Sequence, residues 1–140
     1  MVKVRLYLVR HGKTMFNTIG RAQGWSDTPL TAEGERGIQE LGIGLRESGL
    51  QIEHAYSSDS GRTIQTTGII LDELGLQGKI PYRMDKRIRE WCFGSFDGAY
   101  DGDLFMGIIP RIFNVDHVHQ LSYAELAEGL VEVDTAGWAE

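Results

Sequence analysis

Cysteine is almost missing from this sequence: Cys92 stands alone among 140 residues. A single thiol excludes an internal disulfide and an all-cysteine zinc site. That composition suits a reducing cytoplasm, the compartment expected here. Long apolar runs are missing too. The stretch from Val4 to Val9 is interrupted by Arg5 and ended by Arg10. It is too short to cross a bilayer and has no signal-peptide cleavage pattern, so no membrane partner is expected. Positive charge is scarce beyond residue 90. Residues 91–140 carry only Arg111 against nine acids, a net −8, whereas residues 1–90 carry 13 Lys and Arg against 11 acids, a net +2. A nucleic-acid binder needs a basic face; none is visible, and no nucleic-acid partner is expected. Repeats, low-complexity tracts and interdomain linkers are absent as well, and nothing specifies an oligomeric state.

What is present is ordinary for a globular chain: 41% apolar and 24% charged residues, which argues against disorder. Glycine is the exception. Its 18 residues are nearly twice the usual share of about 7%, which implies many tight turns between short elements. Residues 2–9 alternate and then become apolar, the pattern of a buried strand, and the chain turns at Arg10-His11-Gly12. Residues 20–30 read as a loop. Thr31 is placed to cap a helix with Glu33 and Glu35 in its first turn, with Ile38, Leu41 and Leu45 at helical spacing and Gly49 ending it. A second strand is expected over residues 54–57. Ser58 or Asp59 should then cap a helix carrying Ile64, Ile70, Leu71 and Leu74, closed by Gly75. A third strand is expected over residues 80–88. Alternating strands and helices of these lengths imply βαβ units and a mainly parallel sheet. Beyond Gly98 the pattern loosens: residues 103–109 read as a short helix stopped by Pro110, and Ser122 to Glu125 matches a capping box ahead of Leu126 and Leu130.

Ligands of open parallel sheets sit beyond the carboxyl ends of the strands. Three polar clusters fall at such ends: Arg10-His11-Gly12, Ser57-Ser58 and Glu90. Arg62, one turn into the second helix, can reach the same edge. Together they supply a nucleophile, two guanidinium groups and a carboxylic acid, a set suited to phosphoryl transfer. Arginine forks match the oxygens of a phosphate dianion and stay charged. A neutral imidazole can attack phosphorus when its other nitrogen is held as a hydrogen-bond donor. Gly12 lets the backbone fold close to the ring and the phosphate. The departing alkoxide needs a proton, which a carboxyl group facing a dianion is suited to supply.

The sequence Arg10-His11-Gly12-Lys13-Thr14, with Asn17 following, resembles the signature of the histidine phosphatase superfamily, which includes the phosphoglycerate mutases. The likeness runs on through Gly20-Arg21, Gln23-Gly24, Asp27, Pro29-Leu30-Thr31 and Gly34. It resumes at Ser57-Ser58, Arg62 and Thr66, and again at Arg89-Glu90, Gly94 and Phe96-Asp97-Gly98. An Arg-His-Gly triplet alone is a weak signal; four ordered segments over residues 2–98 are a specific one. The resemblance implies a three-layer α/β/α fold of the phosphoglycerate mutase type. It implies a phosphohistidine on His11, phosphate held by Arg10 and Arg62 with Asn17 and Arg21 assisting, and Glu90 as the acid. The loop from Gln23 to Thr28 would form a pocket wall, with Gln23 and Gly24 near the phosphate. The expected partner is a small phosphorylated metabolite. His117 and His119 could share a strand face as metal ligands, but no further ligand is placed beside them, so neither a metal nor a cofactor is expected.

One departure stands out. The family supplies a second catalytic histidine, followed by glycine, at the end of a later strand, and no His-Gly pair follows His11 here. The expectation is a single incomplete domain over residues 1–140 that lacks the C-terminal strand or strands. Residues 1–98 would be the catalytic core, 99–133 a lid-like insertion and 134–140 the start of a helix. Turnover by this chain alone should be absent or impaired. The favoured reaction is phosphomonoester hydrolysis. Mutases of the family carry a Glu-Arg-His-Tyr-Gly-like run where this chain has Glu90-Trp91-Cys92-Phe93-Gly94, and a lid with one arginine is poorly suited to retaining a bisphosphate. The alternatives are a phosphoglycerate mutase and a phosphoester-binding protein without turnover.

Overall fold

A computed structural model describes residues 4–138. The elements, in chain order, are α1 (Met15–Ile19), α2 (Ala32–Glu47), β1 (Ala55–Ser57), α3 (Gly61–Glu73), β2 (Tyr82–Met84), α4 (Asp101–Asp103), α5 (Ile109–Phe113) and α6 (Tyr123–Val133). Short 3-10 turns lie at Lys86–Ile88, Gly94–Phe96 and Val118–Gln120. The architecture is α/β. Strands β1 and β2 pair in parallel, Ala55 opposite Tyr82 and Ser57 opposite Met84, and α3 is the crossover between them.

Helix α2 begins where its sequence dictates. Thr31 caps it by accepting from Gly34 N at 3.0 Å, and Glu33 and Glu35 stand at the positive end of its dipole. Its inner face, with Ile38 buried, packs along α3, where Ile70 and Leu71 are buried. The approach is close: a Cβ at Gly42 would lie 2.7 Å from the Glu73 Cβ. The cap of α3 differs from expectation. Ser60 holds the N-cap position and makes no side-chain cap bond. Ser58 Oγ is taken by Thr63 Oγ1 at 2.7 Å, and Asp59 pairs with Arg89. The helix end is met instead by Asp27 of a distant loop, whose Oδ1 accepts from Arg62 N at 3.3 Å.

Several expectations fail for tertiary reasons. The buried strand expected over residues 2–9 is not formed over residues 4–9, and residues 2 and 3 lie outside the described part. Within the described part, residues 4–10 pair with nothing, and Val4, Leu6 and Leu8 are 86%, 75% and 87% exposed. A strand needs a neighbour's backbone groups to complete its ladder, and among the described residues β1 and β2 pair only with each other. The third strand is confined to Tyr82–Met84, because Asp85 accepts from Arg87 N at 2.9 Å and starts a 3-10 turn. Pro110 does not stop its helix. It sits in the first turn of α5, directly after a π-helical turn at Leu104–Ile108, where its missing N–H leaves no broken ladder. Helix α1, within the stretch leading to the expected loop, has no counterpart in the sequence reading. Residues 134–138 form turns and not a helix, since the Asp134 carboxylate accepts from the backbone N–H groups of Ser95, Ala136 and Trp138. Residues 139 and 140 lie outside the described part.

The capping box ahead of α6 is as expected: Ser122 Oγ accepts from Glu125 N at 3.2 Å, and Glu125 Oε2 accepts from Ser122 N at 2.8 Å. Leu126 and Leu130 then join Leu104, Ile109, Phe93 and Ala22 in one apolar cluster. The segment beyond residue 98 is therefore anchored to the loop that follows α1.

Candidate active site

The His11 loop is fastened to α2 and α3 by backbone geometry. Thr31 N donates to Lys13 O at 2.8 Å and Met15 N to Pro29 O at 3.1 Å, flanking an antiparallel bridge between Thr14 and Leu30. Gly34 lets α2 come this close, because a Cβ there would stand 2.1 Å from Lys13 O. Gly12 is needed for a related reason. Its Cβ would meet Ile38 Cγ1 at 2.8 Å and Gly34 O at 3.0 Å, so packing against α2 fixes this glycine. From the other side, Gly12 N donates to Thr66 Oγ1 at 3.0 Å, and that hydroxyl donates to Arg62 O at 2.8 Å.

His11 is half-buried, with Nδ1 2.8 Å from Gly12 O. A carbonyl oxygen only accepts, so Nδ1 carries the proton and Nε2 keeps its lone pair. The imidazole pKa lies below the usual histidine value. Burial is the main cause; the bond to Gly12 O opposes it, the charges of Arg62 and Arg10 push further down, and the Glu90 carboxylate pulls up. The expected quartet of His11, Arg10, Arg62 and Glu90 therefore shares one electrostatic neighbourhood. Glu90 and Arg10 are exposed at its edge, and Glu90 Oε1 accepts from Trp91 N at 2.9 Å.

Arg62 lies in the first turn of α3 and is 2% exposed. Its guanidinium is held by the loop before α2. Nη2 donates to Gly24 O at 2.8 Å, and Nη1 donates to Ser26 O at 3.0 Å and to Asp27 Oδ1 at 3.1 Å. Gln23 joins this grip. With its amide nitrogen donating to Thr14 Oγ1 at 2.6 Å, its oxygen accepts from Arg62 Nη1 at 3.2 Å and from Thr28 N at 3.1 Å. Arg62 Nε is buried and has no partner among the described residues, a donor that an incoming anion would satisfy. The loop is stiffened in turn by Asp97, whose carboxylate accepts from Gly24 N at 2.8 Å, Trp25 N at 2.9 Å and Ser26 N at 3.3 Å.

Two expected phosphate ligands also make contacts within the chain. Arg21 donates to Gly98 O and lies over the Tyr100 ring at 4.1 Å. Asn17 closes the capping box of α1, its Oδ1 accepting from Thr14 N at 3.0 Å. Gln23 and Gly24 grip Arg62. Sequence reasoning gave no role to Thr66 or Asp97, and none to Asp27 beyond its place in the pocket-wall loop. All three lie in the quoted motif segments, the one available signal, but their partners are 35 to 73 residues away.

Residues 6–104 match the family model of the histidine phosphatase superfamily (branch 1). The chain belongs to that superfamily. Among solved structures, phosphoglycerate mutase from Bacillus anthracis str. Sterne superposes with a TM-score of 0.81 at 34% identity, over 93% of this chain and 57% of that one. Bacillus stearothermophilus YhfR gives a TM-score of 0.63 at 32% identity, over 75% and 48%. The fold is thus of the phosphoglycerate mutase type, with two strands among the described residues. Among curated relatives, the probable phosphoglycerate mutase GpmB of Salmonella choleraesuis (strain SC-B67) is 52% identical over 60 residues, 43% of this chain and 27% of that protein. The match therefore spans about half of these structures and about a quarter of that relative. No helix among the described residues is long and apolar enough to cross a membrane.

Proposed function

We propose that this chain carries the phosphoryl-accepting half-site of a phosphomonoester hydrolase, with His11 as nucleophile and a small phosphorylated metabolite as substrate. The observation that carries this reading is the Nδ1 bond of His11 to Gly12 O at 2.8 Å. It leaves Nε2 as a free lone pair beside two guanidinium groups.

The chemistry follows from that tautomer. Nε2 attacks phosphorus, an N–P bond forms, and the ester P–O bond breaks with its electron pair going to the leaving oxygen. Glu90, in its protonated form, gives that oxygen its proton. Arg62 and Arg10 meet the charge on the phosphoryl oxygens, Arg62 through the unpartnered Nε. Burial and the two cations keep the imidazole neutral at neutral pH, as a nucleophile must be. In the second half-reaction Glu90 takes a proton from water, whose oxygen attacks the phosphohistidine and restores His11. Residues 1–98 supply these groups, and residues 99–133 form the cover.

Hydrolysis is preferred over mutase chemistry because the run after Glu90 is Trp91-Cys92-Phe93-Gly94 and residues 91–140 hold one arginine against nine acids. The mutase reading draws support from relatives that are themselves named phosphoglycerate mutases, and the absence of a second His-Gly pair from the sequence supports slow or no turnover by this chain. Rapid quench after mixing with 4-nitrophenyl phosphate, followed by phosphohistidine detection, tests the proposal. Label on His11, lost in His11→Ala, is expected. Phosphate binding without any label would favour a non-catalytic binder, and isomerisation of 3-phosphoglycerate dependent on a bisphosphate primer would favour the mutase.

A further inference from the structure

Among the described residues the Glu90 side chain reaches no other element by hydrogen bond: Trp91 N is its bonding partner. The place of its carboxylate is therefore inherited from the backbone that carries it. The residue before it, Arg89, is held from two directions. Its Nε and Nη2 donate to Oδ1 and Oδ2 of Asp59, a fork-on-fork pair, and its guanidinium carbon lies 4.6 Å from the centre of the Trp25 ring. Asp59 stands in the turn from β1 to α3 between buried Ser58 and Ser60. Trp25 stands in the loop whose flanking carbonyls, Gly24 O and Ser26 O, grip Arg62. One side chain thus ties the Glu90 segment to both pieces of chain that locate Arg62.

We propose that Arg89 is the positioning residue of the acid, its guanidinium pinned between Asp59 and Trp25 so that the following peptide presents Glu90 to His11. The proposal rests on the reading of Glu90 and His11 given above. The pair is not a plain surface bridge. Side chains 27% and 36% exposed contribute little to stability as an isolated ion pair, but a bidentate fork combined with ring stacking fixes direction, and lysine reproduces neither. The charged groups bearing on His11 are Arg62, Arg10 and Glu90, and Asp59 bears on Arg89.

NMR titration of the His11 imidazole tests this without requiring turnover. The Glu90 carboxylate raises that pKa, so Glu90→Gln should lower it. If Arg89 places Glu90, Arg89→Ala should lower it by a matching amount, Arg89→Lys should behave like Arg89→Ala, and the Arg89→Ala/Glu90→Gln double variant should add nothing. A cation acting directly on His11 would give the opposite sign, because its removal raises the pKa. An unchanged or raised His11 pKa in Arg89→Ala, with the Glu90→Gln shift intact, overturns the positioning role alone. No shift in Glu90→Gln would instead remove Glu90 from the site, and the positioning role with it.

Discussion

Gly12 N donates to Thr66 Oγ1 at 3.0 Å across 54 residues of sequence, and both groups are buried. The same hydroxyl donates to Arg62 O at 2.8 Å. One threonine thereby joins the loop of the nucleophile to the helix of the buried arginine. Thr66→Val keeps the shape and removes the hydroxyl. Leaving Gly12 N unsatisfied should destabilise the chain by about 1–3 kcal/mol, read as a lowered urea midpoint at constant slope. An unchanged midpoint would mean that water or another group replaces the bond.

Asp97 should matter to ligand binding although it touches no ligand. Its carboxylate accepts from three consecutive backbone N–H groups of the loop that grips Arg62. Asp97→Ala removes part-buried, charge-assisted bonds of up to about 1.5–3 kcal/mol each and frees the loop. Isothermal titration with inorganic vanadate should show affinity reduced by about tenfold or more, roughly 1.4 kcal/mol. Full affinity in the variant would disconnect the loop from the anion site.

Gly34→Ala tests the docking of α2 on the His11 loop. The new Cβ would stand 2.1 Å from Lys13 O, a backbone atom that cannot rotate away. The helix must shift, and overpacking of this kind destabilises by about 1–3 kcal/mol. The same substitution at Gly44, which has open space around it, should be neutral or stabilising by up to about 1 kcal/mol. Equal effects at the two sites would contradict the close approach.

The pH response of His11 has a defined sign. Its pKa in the fold lies below the ordinary value of 6.5, so the unfolded chain binds more protons between the two values. The group's contribution to stability is complete above 6.5 and is lost as pH falls through the folded value. NMR titration should give a midpoint below 6.5, with Arg10→Gln shifting it up because a nearby cation is removed. A midpoint above 6.5 in the unliganded chain would exclude the buried, cation-flanked setting.

Segment 4–9 should tolerate charge. Leu8 is 87% exposed, so Leu8→Lys should change the stability of this chain by no more than about 0.5 kcal/mol. A loss of several kcal/mol in denaturant titration would show that the apolar run is buried in solution.

What the sequence determined by itself was local or carried by short range. The caps at Thr31 and Ser122, the apolar spacing of α2, α3 and α6, and the family motif around His11 were all legible, because each depends on neighbours in sequence or on a recognisable motif. Tertiary structure decided the rest. It left residues 4–10 unpaired, because strand formation depends on a partner that no alternation can supply. It gave the cap of α3 to Asp27 once Asp59 was drawn to Arg89, and it turned Gln23 and Gly24 into the grip on Arg62. Those outcomes depend on groups far apart in sequence competing for the same hydrogen bonds, and only the folded chain shows which partner wins.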